Sequence, residues 1–349
     1  MNSKDGLTPS GLSKYGWSDT LQHDFEPFAA QDLVSDRVIV QQRGSYRLVT
    51  ETGEIEGRIS GRFAHEAADG GYPVTGDWVA AELKADVAMI AHILPRATAF
   101  TRMAAGTAKD MQVVAANVDV ALLAASLNAD LNLRRLERYL ATAYESGASP
   151  VILLTKADAC EDPQPLIASV EAIAFGVPVL AVSVRTGQGL AELSALLAPG
   201  KTAVLLGSSG VGKSTLVNAL AGAELMATKA VREDDARGRH TTTHRELILL
   251  PSGALILDTP GMRELQVSDA AEGLAEVFDD VTALVAACRF SNCTHQSEPG
   301  CAVRAALKAG TLSGERLMRW RKLSAEDASN TLDLSRKNVR STTGSRRRS

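Results

Sequence analysis

Short apolar runs dominate the first third of the chain. Between Arg37 and Leu94, Val38–Val40, Tyr46–Val49, Gly57–Ser60 and Asp77–Ala80 are short apolar or alternating runs. Turns at Thr52-Gly53, Gly70-Gly71 and Thr75-Gly76 separate them. A period of two bounded by glycine turns predicts strands. So many short strands suit a small barrel, and the pattern alone leaves OB-type and SH3-like closures open. The preceding segment, residues 1–36, is polar and reads as a flexible lead-in.

The pattern changes near residue 112. Val118–Ala125, Val151–Leu154, Val179–Ser183, Ala203–Leu206, Leu247–Leu250 and Leu255–Leu257 are apolar runs of strand length. Helical stretches at Leu133–Glu145, Pro165–Phe175 and Ser214–Leu220 fall between several of them. Nearly continuous apolar strands alternating with helices predict a parallel sheet covered on both faces. A helical region follows from about residue 270 to 325, and residues 326–349 form a polar, basic tail. The expected units are thus 37–111, 112–269 and 270–325, flanked by the two end segments.

Composition narrows the class. Across 349 residues, 45% are hydrophobic and 22% charged, which excludes a disordered, collagenous or disulfide-scaffold chain. No apolar run approaches the ~20 residues that cross a bilayer, so no membrane role is expected. The polar N-terminus lacks a secretory core, and a cytoplasmic location is expected. The net charge of −4 confines any nucleic-acid surface to a local patch.

Gly207-Ser208-Ser209-Gly210-Val211-Gly212-Lys213-Ser214-Thr215 matches G-x-x-x-x-G-K-[ST], follows a predicted strand and opens a predicted helix. Glycines let backbone N–H groups turn towards phosphate oxygens beside the positive end of the helix. Lys213 reaches the β and γ phosphates, and Ser214 offers its hydroxyl to Mg²⁺. Asp258-Thr259-Pro260-Gly261 ends a later strand, where Asp258 can hold Mg²⁺ through water and the Gly261 N–H can meet the γ-phosphate. Between them, Gly238-Arg239-His240-Thr241-Thr242-Thr243 lies in a charged loop. A threonine there, Thr242 the candidate, can complete the Mg²⁺ shell; a solvated loop is the plain alternative.

Thr155-Lys156-Ala157-Asp158 follows the strand Val151–Leu154. A carboxylate accepts both N1–H and the N2 amine of guanine, a donor pair that adenine lacks, so Asp158 predicts GTP over ATP. Ser183-Val184-Arg185-Thr186-Gly187 ends the next strand and can back the base. These strings resemble the motifs of Ras-like GTPases in permuted order, with base recognition ahead of the phosphate loop. Two departures stand out. Thr155 replaces the usual Asn, and Met262 stands where the water-orienting glutamine would be. An apolar side chain cannot orient water, which leaves His240 as the catalytic candidate; an exposed loop histidine is the plain alternative.

Cys288-x4-Cys293-x-His295-x5-Cys301 gathers four ligand-type residues. Three thiolates and an imidazole favour tetrahedral Zn²⁺ with no open position, hence one structural ion per chain. Cys160 reads as a small hydrophobe.

The barrel, the permuted motifs and the Cys/His spacing together resemble the RsgA (YjeQ) family over about residues 37–325. The resemblance implies an OB-fold, a central permuted GTPase and a C-terminal zinc domain. It also implies action on the 30S ribosomal subunit and its 16S rRNA in late maturation, with GTP hydrolysis stimulated by the subunit and coupled to release. From Arg316 onward ten Arg or Lys stand against three Asp or Glu, a stretch suited to rRNA phosphates. A monomer is expected. The alternative is a nucleotide-responsive RNA-binding scaffold with negligible hydrolysis.

Overall fold

The computed structural model describes residues 11–42, 44–67, 71–103, 111–128, 131–174, 176–225, 245–258 and 271–325. Within the expected loose lead-in, residues 12–29 are instead built into the fold. A 3₁₀ turn (Leu12–Tyr15) precedes helix α1 (Asp19–Ala29), which Ser18 caps by accepting the Leu21 N–H. Leu12, Trp17 and Phe25 are buried, and the Trp17 ring meets Trp78 at 4.9 Å and Phe25 at 6.0 Å, edge to face. Large side chains of this kind contribute about 1.5–3 kcal/mol each on full burial, enough to hold a short polar segment down.

Strands β1 (Val34–Gln41), β2 (Tyr46–Val49) and β3 (Glu54–Ile59) are followed by helix α2 (Gly61–Glu66), then β4 (Trp78–Lys84) and β5 (Val87–Ile93). They close in the order β1-β2-β3-β5-β4-β1, with β3 and β5 parallel. That is the OB-type order, so the choice left open by the alternation falls to the long-range β3–β5 pairing. Val38, Leu48, Val79, Ala88 and Ile90 fill the barrel. A hairpin of β6 (Ala99–Met103) and β7 (Met111–Ala116) leads into the next unit.

The central sheet follows from β8 (Val120–Ser126), α3 (Leu133–Ser146), β9 (Ser149–Thr155), α4 (Gln164–Glu171), β10 (Val179–Val182), α5 (Leu190–Leu196), β11 (Thr202–Gly207), α6 (Lys213–Ala221), β12 (Arg245–Leu249) and β13 (Leu255–Asp258). Its order is β10-β9-β8-β11-β13-β12, parallel except for β12. Alternate strand residues face opposite layers. Leu123, Ile152, Leu154 and Val204 pack with Leu136 and Leu140 of α3, while Leu122, Leu153 and Ala203 pack with Leu193 of α5 and Leu216 of α6. Asn132 caps α3 and Gly147 ends it in the left-handed conformation. Beyond β12 the sheet continues into the barrel, because β12 pairs with β1 (Val40↔Glu246, Gln41↔Arg245). Helices α7 (Ala271–Val277), α8 (Asp279–Ala286), α9 (Ala302–Ala309) and α10 (314–325) make up the C-terminal region.

Asp36 is fully buried on β1, and neither carboxylate oxygen has a hydrogen-bond partner. Alternation places it on the face of Val38, towards the barrel core. Burial pushes its pKa from 3.8 up to about 7. The folded state therefore binds a proton that the unfolded chain releases, and the stability held below pH 4 is lost as pH rises to about 7, by roughly 4 kcal/mol. Urea midpoints between pH 5 and 8 should fall with pH in the native chain and flatten in Asp36→Asn. Parallel profiles for the two proteins would refute an ionising Asp36.

Candidate nucleotide site and metal centre

β8 leads through α3 to β9 on one side of the sheet, and β11 leads through α6 towards the opposite side. The crevice at the carboxyl ends of β8 and β11 is thus the point where connections diverge, the favoured ligand position in such sheets. The loop from Gly207 to Thr215 sits there. Gly207 lies so close to β8 that a Cβ would stand 2.5 Å from the Ala124 carbonyl oxygen. Gly212, at φ 99°, begins α6 with no side-chain cap, which leaves the first N–H groups of the helix for an anion. Lys213 Nζ donates to the carbonyls of Gly207 at 2.6 Å and Ser208 at 2.7 Å, so its charge spans the loop mouth. Val211 is buried as the anchor, whereas Ser209, Gly210 and Thr215 are exposed.

The loop from Thr155 to Asp158 adjoins this one. Thr155 ends β9 and its hydroxyl lies 2.7 Å from the Val211 carbonyl and 3.2 Å from that of Ala125. One hydroxyl thus ties the Thr155–Asp158 loop to the Gly207–Thr215 loop. Lys156 takes a left-handed backbone (φ 58°) that turns the chain towards Asp158, with Ala157 buried between them. The Asp158 carboxylate accepts from Ser183 Oγ and from Arg185 Nε, both at 2.6 Å. The Ser183 bond first, then Arg185, hold its pKa below the usual carboxylate value. Ser183 is buried and receives the Thr186 N–H, which fixes the turn that carries Val184. Arg185 is the residue the sequence reading passed over, although it lies inside the Ser183–Gly187 string.

Asp258 closes β13 one step beyond the Val204↔Leu257 pair, at the same edge of the sheet as the phosphate loop. His240, Thr242, Gly261 and Met262 lie outside the described residues.

The structure gathers all four predicted metal ligands. Cys288, Cys293, His295 and Cys301 place their donor atoms within 4.8 Å of one another, and all three thiols are free. His295 Nδ1 lies 3.6 Å from Cys288 Sγ and 3.5 Å from Cys301 Sγ, and those sulfurs are 3.9 Å apart. Tetrahedral bonds of about 2.3 Å to sulfur imply donor separations near 3.8 Å, so the set fits a four-coordinate ion. Cys301 also caps α9, its sulfur accepting the Arg304 N–H. Inside the loop, Glu298 accepts from the N–H groups of Thr294, Gln296 and Ser297 at 2.7–3.0 Å and from the Thr294 hydroxyl. Those bonds hold its carboxyl well below the usual range. The module docks on α3: a Cβ on Gly273 would meet the Ala141 carbonyl oxygen at 2.1 Å, and buried Glu137 receives Arg316 and Arg319 on one oxygen at 3.1 and 2.9 Å.

A sequence model of the RsgA GTPase family matches residues 93–268. The small ribosomal subunit biogenesis GTPase RsgA 2 of Lactiplantibacillus plantarum is 47% identical, over 90% of this chain and 89% of its own. The chain belongs to the RsgA GTPase family. The Streptomyces coelicolor member is 46% identical over 91% of this chain and 87% of its own. YloQ, a circularly permuted GTPase, superposes with a TM-score of 0.61 at 25% identity, over 85% and 96% of the two chains. YjeQ from Thermotoga maritima shares the fold at a TM-score of 0.64, with 24% identity over 84% and 98%. Membership makes the chain a GTP hydrolase with permuted motif order, and a scaffold without hydrolysis gives way to it.

Thr155→Val keeps the shape and deletes the donor. It should cost about 1–3 kcal/mol, the price of leaving the Val211 carbonyl unpaired, read as a lower urea midpoint. An unchanged midpoint would show that this bond does not tie the two loops.

Proposed function

We propose that the chain binds GTP at the β8/β11 crevice and hydrolyses it on the 30S subunit, contacting 16S rRNA during late maturation and leaving after hydrolysis. The observation that carries this reading is the meeting of the phosphate loop and the Asp158 loop at one sheet edge, tied by Thr155. The relatives' names supply the subunit.

Gly207–Thr215 and the Gly261 N–H take the phosphates, with Lys213 turning from its loop carbonyls to the β and γ oxygens. Thr155, Lys156, Ala157, Asp158, Ser183 and Val184 form the guanine pocket, in which Asp158 enters already ionised and aimed by Ser183. Ser214, Thr242 and Asp258 would hold Mg²⁺, which supplies charge neutralisation between the phosphates. His240 orients the attacking water in place of the missing glutamine. The protein works as a cytoplasmic monomer. The Cys288/Cys293/His295/Cys301 centre holds zinc, and its four protein ligands make it structural.

GTP turnover with and without purified 30S subunits tests the reading, with Lys213→Ala as the blank. Strong stimulation that vanishes in the variant is expected, and no stimulation by authentic subunits would overturn the ribosomal part. Elemental analysis should find about one Zn²⁺ per chain. A folded protein free of zinc would refute the structural ion.

A further inference from the structure

The metal loop carries a feature that metal binding does not require. Phe290, between the first two cysteine ligands, is 41% exposed, although a phenyl ring of that size is normally buried. The Arg289 guanidinium lies 5.5 Å from the ring centroid. The loop that presents the pair is fixed from several sides. Cys288 and Cys293 flank it, the Cys293 N–H donates to the Phe290 carbonyl, and the Arg289 N–H donates to Gly300. Gly300 is held at φ 74°, and a Cβ there would press on Arg289 at 3.2 Å.

The surrounding charge selects the partner. Arg289, Arg321 and Lys322 are all exposed, and Arg321 reaches the loop through the carbonyls of Thr294 and His295. The one acid within the loop, Glu298, is consumed by the loop's own N–H groups. On the barrel, by contrast, the charges of β2 and β3 cancel in pairs, Arg47 with Glu54 and Arg58 with Glu56. A rigid, exposed aromatic ring beside cations is a stacking platform for an unpaired base, with phosphates held alongside. An apolar protein partner would not call for the cations.

We propose that Phe290 and Arg289 form a base-stacking site for unpaired RNA, presented by the metal loop. This rests on the ribosomal reading above and names the chemistry of one contact within it.

The full-length chain is titrated with a labelled twelve-nucleotide oligouridylate and, separately, with purified small subunits. Phe290→Ala and Phe290→Leu should weaken oligonucleotide binding by about 5- to 100-fold, while Phe290→Tyr restores it. The salt slope should be unchanged in these variants and shallower by about 0.7 in Arg289→Gln. Metal content and unstimulated GTP turnover should match the native chain throughout, which excludes misfolding. Equal binding by native and Phe290→Ala proteins would overturn the proposal, and so would Leu performing as well as Tyr. Weakened subunit binding with no change on the oligonucleotide, or native binding to subunits alone, would assign the face to a protein partner and equally overturn it. Failure of the native chain to bind subunits would instead sink the ribosomal reading itself.

Discussion

The assembly of the first two units turns on one buried cation. Arg37 on β1 is 2% exposed, and burial lowers its pKa to about 10, so it stays charged at neutral pH. Its guanidinium donates to the carbonyls of Tyr15, Gly76 and Asn117 and to the Thr202 hydroxyl, and it lies 5.1 Å from the Trp78 ring centroid. Those acceptors belong to the N-terminal turn, the barrel, the approach to β8 and the first residue of β11. A buried charge is tolerable only when its donors are matched, and truncation here would leave acceptors from all four pieces unpaired. Beside it, Asp77 accepts Arg96 on both oxygens at 2.7 Å, and a Cβ on Gly76 would meet the Ala116 carbonyl oxygen at 2.1 Å. The barrel therefore cannot swing independently of the central sheet without exposing this network.

Such a hub is invisible in the sequence, because the acceptors lie up to 165 positions from Arg37 and an arginine on a strand ordinarily faces water. What could be read in advance was local. The G-x-x-x-x-G-K-S string and the Cys/His cluster declare themselves within a few residues, and the apolar runs gave every strand of the central sheet. The barrel's closure rests on a parallel β3–β5 ladder, which alternation within a strand cannot encode. Residues 12–29 were misread as loose because their average is polar. The signal was there, however: Ser18 is a capping residue, and Trp17, Leu21, Phe25 and Phe28 follow helical spacing. For the loop after β9, sequence supplied the residues, and only the structure shows that the Thr155 hydroxyl reaches the Val211 carbonyl, 56 positions away.

The permuted order then acquires a mechanical meaning. Residues 226–244, which hold His240 and Thr242, run directly into β12, and β12 is the strand that pairs with barrel strand β1. Arg47 of β2 meets Glu246 of β12 at 2.5 Å, Arg245 donates to Gln41 at 3.2 Å, and Thr75 donates to the Arg245 carbonyl. On the other side, Asp258 leads through residues 259–270 into α7, which is seated on α3 by the Gly273 contact. The cluster of Glu137 with Arg316 and Arg319 binds α10 to the same helix, and Arg316 also pairs with Asp280 at 3.0 Å and stacks 4.3 Å over Phe278. The barrel is thus attached to the central sheet through β12, and the C-terminal helices through the contacts of α7 and α10 with α3. In an unpermuted chain the Asp258 segment would have to return to the sheet as its next strand. Moving the chain ends releases it, so that the chain beyond Asp258 passes on to α7, seated on α3, rather than to a further strand. Under the proposed function, a partner held by both modules and the γ-phosphate would be coupled reciprocally, each changing the other's affinity by the same factor.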